Sequence, residues 1–160
     1  MKNLLFLILF LNGALNCFGQ HGIEFQFEIQ PINNELSIFK DSTIYDVRGV
    51  ILNTSDTDLY FLSESCNGLA YYIKSNSENV ENYVTLNCNA SWPEKIMIKP
   101  GSQYLFNTNI RMKKIVDDIN LDLKLFLLIP STDVKGKSIF DVQKENIFYT
   151  LDLKGKNIKI

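Results

Sequence analysis

The sequence is short of the residues on which most enzyme chemistry depends. One histidine (His21), one tryptophan (Trp92) and three cysteines (Cys17, Cys66, Cys88) are spread over 160 residues. A Ser-His-Asp or Cys-His centre would have to use His21, and no nucleophile-elbow pattern accompanies it. A copper brace on His21 as a free N-terminus would need a second histidine, which the chain lacks. There is no Gly-rich phosphate loop and no Cys-x-x-Cys pair, so no cofactor is expected. An excess of one charge is missing too: 16 Lys and Arg face 18 Asp and Glu, a formal charge of −2. That balance gives no electrostatic case for nucleic acid or an anionic membrane surface. The expectation is therefore a protein that is not an enzyme. The alternative from another class is a small envelope enzyme using two carboxylates that meet in space.

Long apolar runs are absent after the first residues. Leu4 to Leu11 is unbroken and apolar, preceded by Lys2 and followed by Cys17-Phe18-Gly19, with small residues at the −3 and −1 positions before Gln20. This is the layout of a secretory signal peptide. It is too short for the roughly 20 residues that a membrane span requires. Residues 1–19 are expected to be removed, leaving 20–160 as one domain in the periplasm, the cell envelope or the medium. Loss of Lys2 moves the formal charge from −2 to −3. A lipid anchor at Cys17 is the lesser alternative, because Asn16 occupies the position before the cysteine where a lipobox wants a small residue.

Cys66 and Cys88 then form an even pair in an exported chain, which favours a disulfide. Two candidate strands, Leu69 to Ser75 and Val80 to Cys88, flank the turn-rich Asn76-Ser77-Glu78-Asn79. A hairpin centred on that turn would bring the two cysteines opposite each other, within one residue of register. Opposed strand residues lie about 4.5–5.5 Å apart, a gap a disulfide can bridge.

Nearly everywhere else the apolar period is two. Ile23, Phe25, Phe27 and Ile29 alternate with Glu24, Gln26, Glu28 and Gln30 up to Pro31, the pattern of a half-buried strand. Leu36 to Phe39, Ile44 to Leu52 (with Gly49 as a bulge or close-approach point), Leu59 to Leu62, Lys95 to Lys99, and the strand marked by Tyr104, Phe106 and Ile110 follow. Leu121 to Ile129, with its second half apolar on both faces, and Ile147 to Leu153 close the series, and Asn157 to Ile160 is expected to pair weakly or fray. Asn53 to Asp58, Pro100-Gly101 and Lys135-Gly136-Lys137 read as turns. Arg111 to Asp118 is the one place for a helical turn. Seven to nine short strands predict an all-β, antiparallel, immunoglobulin-like β-sandwich, with a closed β-barrel as the rival.

Val47 to Leu62 (VRGVILNTSDTDLYFL), followed by IKPGSQYLF at Ile98 to Phe106, resembles small bacterial immunoglobulin-like modules, among them BsuPI-type proteinase-inhibitor domains. The resemblance covers about half of the mature chain. It implies the sandwich fold and, as an alternative function, a proteinase-inhibitor-like module. It carries no functional residue onto this chain.

Several residues are candidates for chemistry. Tyr71, Tyr72, Tyr83, Trp92 and Tyr104 crowd the middle third, where aromatics either fill a core or stack on a sugar or a protein partner. Tyr71 and Tyr72 are adjacent, so in a strand they would face opposite sides. Asp56 and Asp58 are weak calcium candidates, although the spacing of a calcium loop is missing and turn chemistry explains the residues equally. Asp117, Asp118 and Asp122 form a second acidic group. Asn53-Thr54-Ser55 and Asn89-Ala90-Ser91 match the N-glycosylation pattern, and Asp41-Ser42-Thr43 an O-glycosylation one. The expected function is a non-catalytic binding or scaffolding module, its partner a protein or carbohydrate of the cell envelope.

Overall fold

A computed structural model of the chain describes residues 22–32, 42–84, 90–138, 141–142, 148–155 and 158–159. The leader, Cys17, His21, the piece at Leu36 to Phe39, Cys88 and Asn89 lie outside them. The described strands are β1 (Ile23–Pro31), β2 (Thr43–Asn53), β3 (Leu59–Glu64), β4 (Ile73–Ser75), β5 (Val80–Asn82), β6 (Pro93–Ile98), β7 (Gln103–Met112), β8 (Asp118–Ile119), β9 (Leu121–Leu128), β10 (Phe148–Lys154) and β11 (Ile158–Lys159). Seven of these have six residues or more. The rest are pairing segments of two or three residues.

One sheet has the order β1-β2-β7-β5 and the other β10-β9-β3-β6, with β4 joining β9; β8 and β11 form a small ribbon. Every pairing is antiparallel. Both main sheets are open, so the fold is an antiparallel β-sandwich rather than a barrel, consistent with the immunoglobulin-like arrangement expected.

The alternation written in the sequence decides which side of each strand is dry. On β1 the residues Phe25 and Phe27 are buried while Glu24, Gln26 and Glu28 are exposed. Phe25 stacks on Phe27 and Phe106 with ring centroids 5.9 and 6.3 Å apart. Gly49 lies directly between Phe27 and Phe106 in register. A Cβ there would sit 2.2 Å from Phe106 Cζ. Gly49 is therefore a close-approach point, and the ladder runs through it in continuous register, without a bulge. Ile51, Ile110, Leu121, Leu123 and Leu125 complete the core between the sheets.

The turn at Lys99–Ser102 follows its sequence directly. Ser102 N–H donates to the Lys99 carbonyl at 3.0 Å, and Gly101 takes φ +68°, the type II geometry with proline second and glycine third. Pro93 opens β6, a position where a missing N–H costs the ladder least.

The apolar second half of β9 has a separate cause. Leu62, Leu128, Val134 and Val142 form a second buried cluster on the outer side of the β9-β3 sheet, with Tyr60 and Phe126 packed against it. The Lys95 ammonium donates to the carbonyls of Pro130 and Thr132, the latter at 2.9 Å, and lies 4.9 Å from the Tyr60 ring centre. The segment after β9 is thereby pinned over the sheet as a third layer.

Two sequence expectations are corrected. Leu69 to Ser75 and Val80 to Cys88 do not form a hairpin over their described residues. Ala70–Tyr72 is a 3-10 turn, β4 pairs with β9, and β5 pairs with β7 in the other sheet. Partners far away in sequence outcompete the local pairing, and the Asn76–Asn79 turn becomes a crossing between sheets. The helical turn at Arg111 to Asp118 is also absent. Arg111 and Met112 finish β7, Lys113 N–H donates to the Asn79 carbonyl at 2.8 Å, and Asp118 starts β8.

Candidate binding surface around Cys66

The chain leaves β3 at Glu64 and turns sharply at Asn67 and Gly68, with φ of 62° and 51°. Asparagine and glycine are the residues that tolerate this left-handed backbone. Leu69 and Ala70 then drop into the interior. Ala70 N–H donates to the Asn67 carbonyl at 2.9 Å, and Tyr72 N–H to the Leu69 carbonyl at 3.0 Å. Asn82 of β5 fastens the loop from beneath, its amide nitrogen donating to the carbonyls of Ala70 (3.0 Å) and Ile73 (2.6 Å).

The other wall is the approach to β6. Ser65 N–H donates to the Trp92 carbonyl at 2.9 Å, and Trp92 N–H donates to Ser65 Oγ at 3.0 Å. The β3-β6 ladder thus continues one residue past Glu64–Pro93. The backbone of Trp92 is fixed while its indole is 58% exposed. Tyr71, 46% exposed, accepts a hydrogen bond at 3.4 Å from the Asn67 amide. Tyrosine and tryptophan are the side chains most enriched at the energetic centres of interfaces.

Between these walls lies Glu64. One of its oxygens accepts from Tyr72 Oη–H at 2.9 Å, the other from Ser91 Oγ–H at 2.8 Å. Tyr72 is half-buried, and its ring meets Phe126 edge-on at 5.0 Å. Burial first, then the bond and charge of Glu64, push the Tyr72 phenol above the usual tyrosine range. The phenol stays protonated at neutral pH and serves as a fixed donor. What this arrangement offers is rigid aromatic surface with satisfied polar groups behind it, suited to contact rather than to proton transfer.

The candidate aromatics thus divide. Tyr71 and Trp92 are open. Tyr72 anchors the loop, its contrast with Tyr71 arising from the 3-10 turn and not from opposite faces of a strand. Tyr83 is partly buried beyond β5, its N–H bonded to the Asn109 carbonyl. Tyr104 packs edge-on against Phe61 at 5.3 Å and belongs to the core. Glu64, Asn67 and Asn82 were not foreseen. Only the Asn67-Gly68 pair carried a signal, that of a turn.

The remaining candidates go elsewhere. Asn53 is fully buried. Its amide nitrogen donates to the carbonyls of Thr57 (2.8 Å) and Ile98 (2.9 Å), and its oxygen accepts from Ser55 N–H and Oγ–H. That amide is closed to a glycosyl group, so the Asn53 sequon is a turn and not a modification site. Asp58 accepts from Tyr60 Oη–H at 3.4 Å. Among the described residues no three His, Cys, Asp or Glu side chains gather as a metal would need. Asp117 and Asp118 are exposed, whereas Asp122 pairs with Lys154. No helix among the described residues is long and apolar enough to cross a membrane.

No protein-family model matches the chain, and no curated protein matches it. Among solved structures it is similar to a Northeast Structural Genomics Consortium target, SoR45, at 7% identity, covering 87% of this chain and 86% of that one with a TM-score of 0.47. It is also similar to a FixG-related protein from Vibrio parahaemolyticus at 9% identity, covering 84% and 94%, with a TM-score of 0.32.

Proposed function

We propose that this chain is an exported, non-catalytic β-sandwich of the cell envelope that binds or scaffolds a partner through the edge bearing Tyr71 and Trp92. The observation that carries the reading is the exposure of both aromatics on two anchored segments, the loop after β3, which Asn82 of β5 holds, and the approach to β6, which Ser65 holds. Such anchors lose little conformational entropy on contact and dominate the energetics of many interfaces. Export rests on the leader pattern at residues 1–19. A staple between Cys66 and Cys88 is part of the proposal. It is supported by the disulfide state of Cys66 and by the position of Cys66 Sγ, 3.0 Å from the carbonyl oxygen of Ala90, two residues past Cys88. The strand continuation at Ser65 and Trp92, rather than a local hairpin, would bring the cysteines together.

The test is site-specific photo-crosslinking in the producing organism, with the photo-reactive residue placed at Tyr71, at Trp92, or at Thr150 on exposed β10 as control. A discrete adduct from Tyr71 and Trp92 and none from Thr150 is expected. Equal labelling at all three, or none at the first two, would sink the reading. An adduct with a proteinase whose activity falls in the complex would turn it to the inhibitor-like alternative.

A further inference from the structure

We propose that the outer face of the β1-β2-β7 sheet is a second binding site, which takes a neutral polyhydroxylated chain, a glycan. The site is independent of the Tyr71–Trp92 edge and sits on the other sheet. Two hollows of about 680 and 200 Å3 border this face and share Glu28 and Arg48 in their walls, the larger also reaching Phe27 and Ile158 of β11. They form one trough across three strands.

Register sets the trough's chemistry. Gln26, Val50 and Leu105 form one cross-strand row; Glu28, Arg48 and Asn107 form the next; Gln30, Asp46 and Asn109 the third. The first row supplies an apolar platform, with Leu105 53% exposed. Successive rows on one face are roughly 7 Å apart. A pyranose ring has the matching division, a C–H face beside an equator of hydroxyls that both donate and accept. Side-chain amides likewise do both, while Arg48 only donates and the carboxylates only accept.

Glu28 and Arg48 are directly opposed in register. Yet the side chains of Glu28, Asp46, Arg48 and Asn107 make no hydrogen bond or ion pair with another described residue. Their donors and acceptors are open to a ligand. One guanidinium beside two carboxylates favours an uncharged ligand over a polyanion or a polycation, since either would meet like charge.

The test is affinity gel electrophoresis of the mature chain through gels cast with β-glucan, xylan, galactomannan or dextran, followed by calorimetric titration with oligosaccharides of whichever one retards it. Retardation by at least one neutral polysaccharide is expected, with affinity falling tenfold or more in Arg48→Ala/Asn107→Ala and unchanged in Trp92→Ala. Thermal melts and Trp92 fluorescence of the double variant establish that it is folded. No retardation by any of the four would overturn the proposal. So would retardation lost in Trp92→Ala but kept in the double variant, binding confined to a charged polysaccharide and abolished by salt, or release of reducing ends, which would make the trough a hydrolytic site.

Discussion

The turn after β2 and the loop after β3 are both short, polar connectors, and they put their side chains to opposite uses. Asn53 and Ser55 point their polar atoms into the turn and across to Ile98 of the other sheet. The Asn53 amide and the Ser55 hydroxyl are thereby taken up within the fold. The Cys66 loop is also bonded through its backbone, but it sends Tyr71 outward, as the segment paired with it ahead of β6 does Trp92. The lesson is that a polar or aromatic cluster reads as function only after its bonding needs have been met. In the first connector the fold takes up the Asn53 amide and the Ser55 hydroxyl; in the second it leaves aromatic surface behind.

The contrast breaks most easily at Asn53. Asn53→Ala removes one buried and one part-buried donor bond and two acceptor bonds, and it takes a donor from the Ile98 carbonyl. Unsatisfied buried groups cost about 1–3 kcal/mol each, so a loss of about 3 kcal/mol is expected in urea unfolding, with no loss of crosslinking at Tyr71 in the folded fraction. A loss within experimental scatter would show that the turn is not structural.

Next comes Trp92→Ala, which should leave stability within about 0.5 kcal/mol while weakening the crosslinked partner's binding at least tenfold, roughly 1.4 kcal/mol or more. Titration calorimetry and thermal melts of one sample read both numbers. The reverse outcome, lower stability with unchanged affinity, would make Trp92 a packing residue.

Tyr72→Phe sharpens the boundary between anchor and contact. It removes one hydrogen bond to a carboxylate, about 1–2 kcal/mol. The folded-state phenol titrates above its unfolded value of about 10. Its contribution is therefore complete below that pH and is lost as the pH rises past it. Urea midpoints from pH 9 to 11.5 should fall less steeply in the variant. Identical slopes would exclude Tyr72 as the source.

The smallest effect is expected away from both connectors, at the surface cluster of Glu81 with Lys113 and Arg111. The bond from Lys113, then the bond and charge of Arg111, hold the Glu81 carboxyl below its usual range. Its stabilisation is present above about pH 4.3 and is lost as the pH falls through the folded value. An exposed network of this kind contributes about 1 kcal/mol or less. Glu81→Gln should flatten acid unfolding slightly and leave binding unchanged; a large effect at pH 7 would contradict this.

Most of the sandwich was legible because period two was written plainly. The alternating phenylalanines of β1, the leucines of β9 and the Pro100-Gly101 turn each follow local rules. The Cys66 loop was not legible. Leu69, Tyr71 and Ile73 alternate like a strand, yet Leu69, Ala70 and Ile73 are the buried set, as a tight turn requires. Short apolar runs do not separate these periods. The partners of β4 and β5 lie some 30 to 50 residues away, and nothing local announces them. The doubly apolar half of β9 was visible in Phe126 and Leu128, but its cause, the layer holding Val134 and Val142, is a tertiary matter. Of the candidate site, Tyr71 and Trp92 stand in the sequence among five aromatics, with nothing local to separate them from Tyr72, Tyr83 and Tyr104. Glu64 and Asn82, which hold the loop, were not legible, because single polar residues gain meaning only from their neighbours in space.

Trp92 is the only tryptophan in the chain, so its fluorescence reports on the proposed edge alone. The most direct test is acrylamide quenching of that emission, for the free protein and with the crosslinked partner at saturation. The account predicts water-like emission and full quenching when free, then a blue shift and strong protection when bound. Unchanged emission and unchanged quenching in the saturated complex would contradict it.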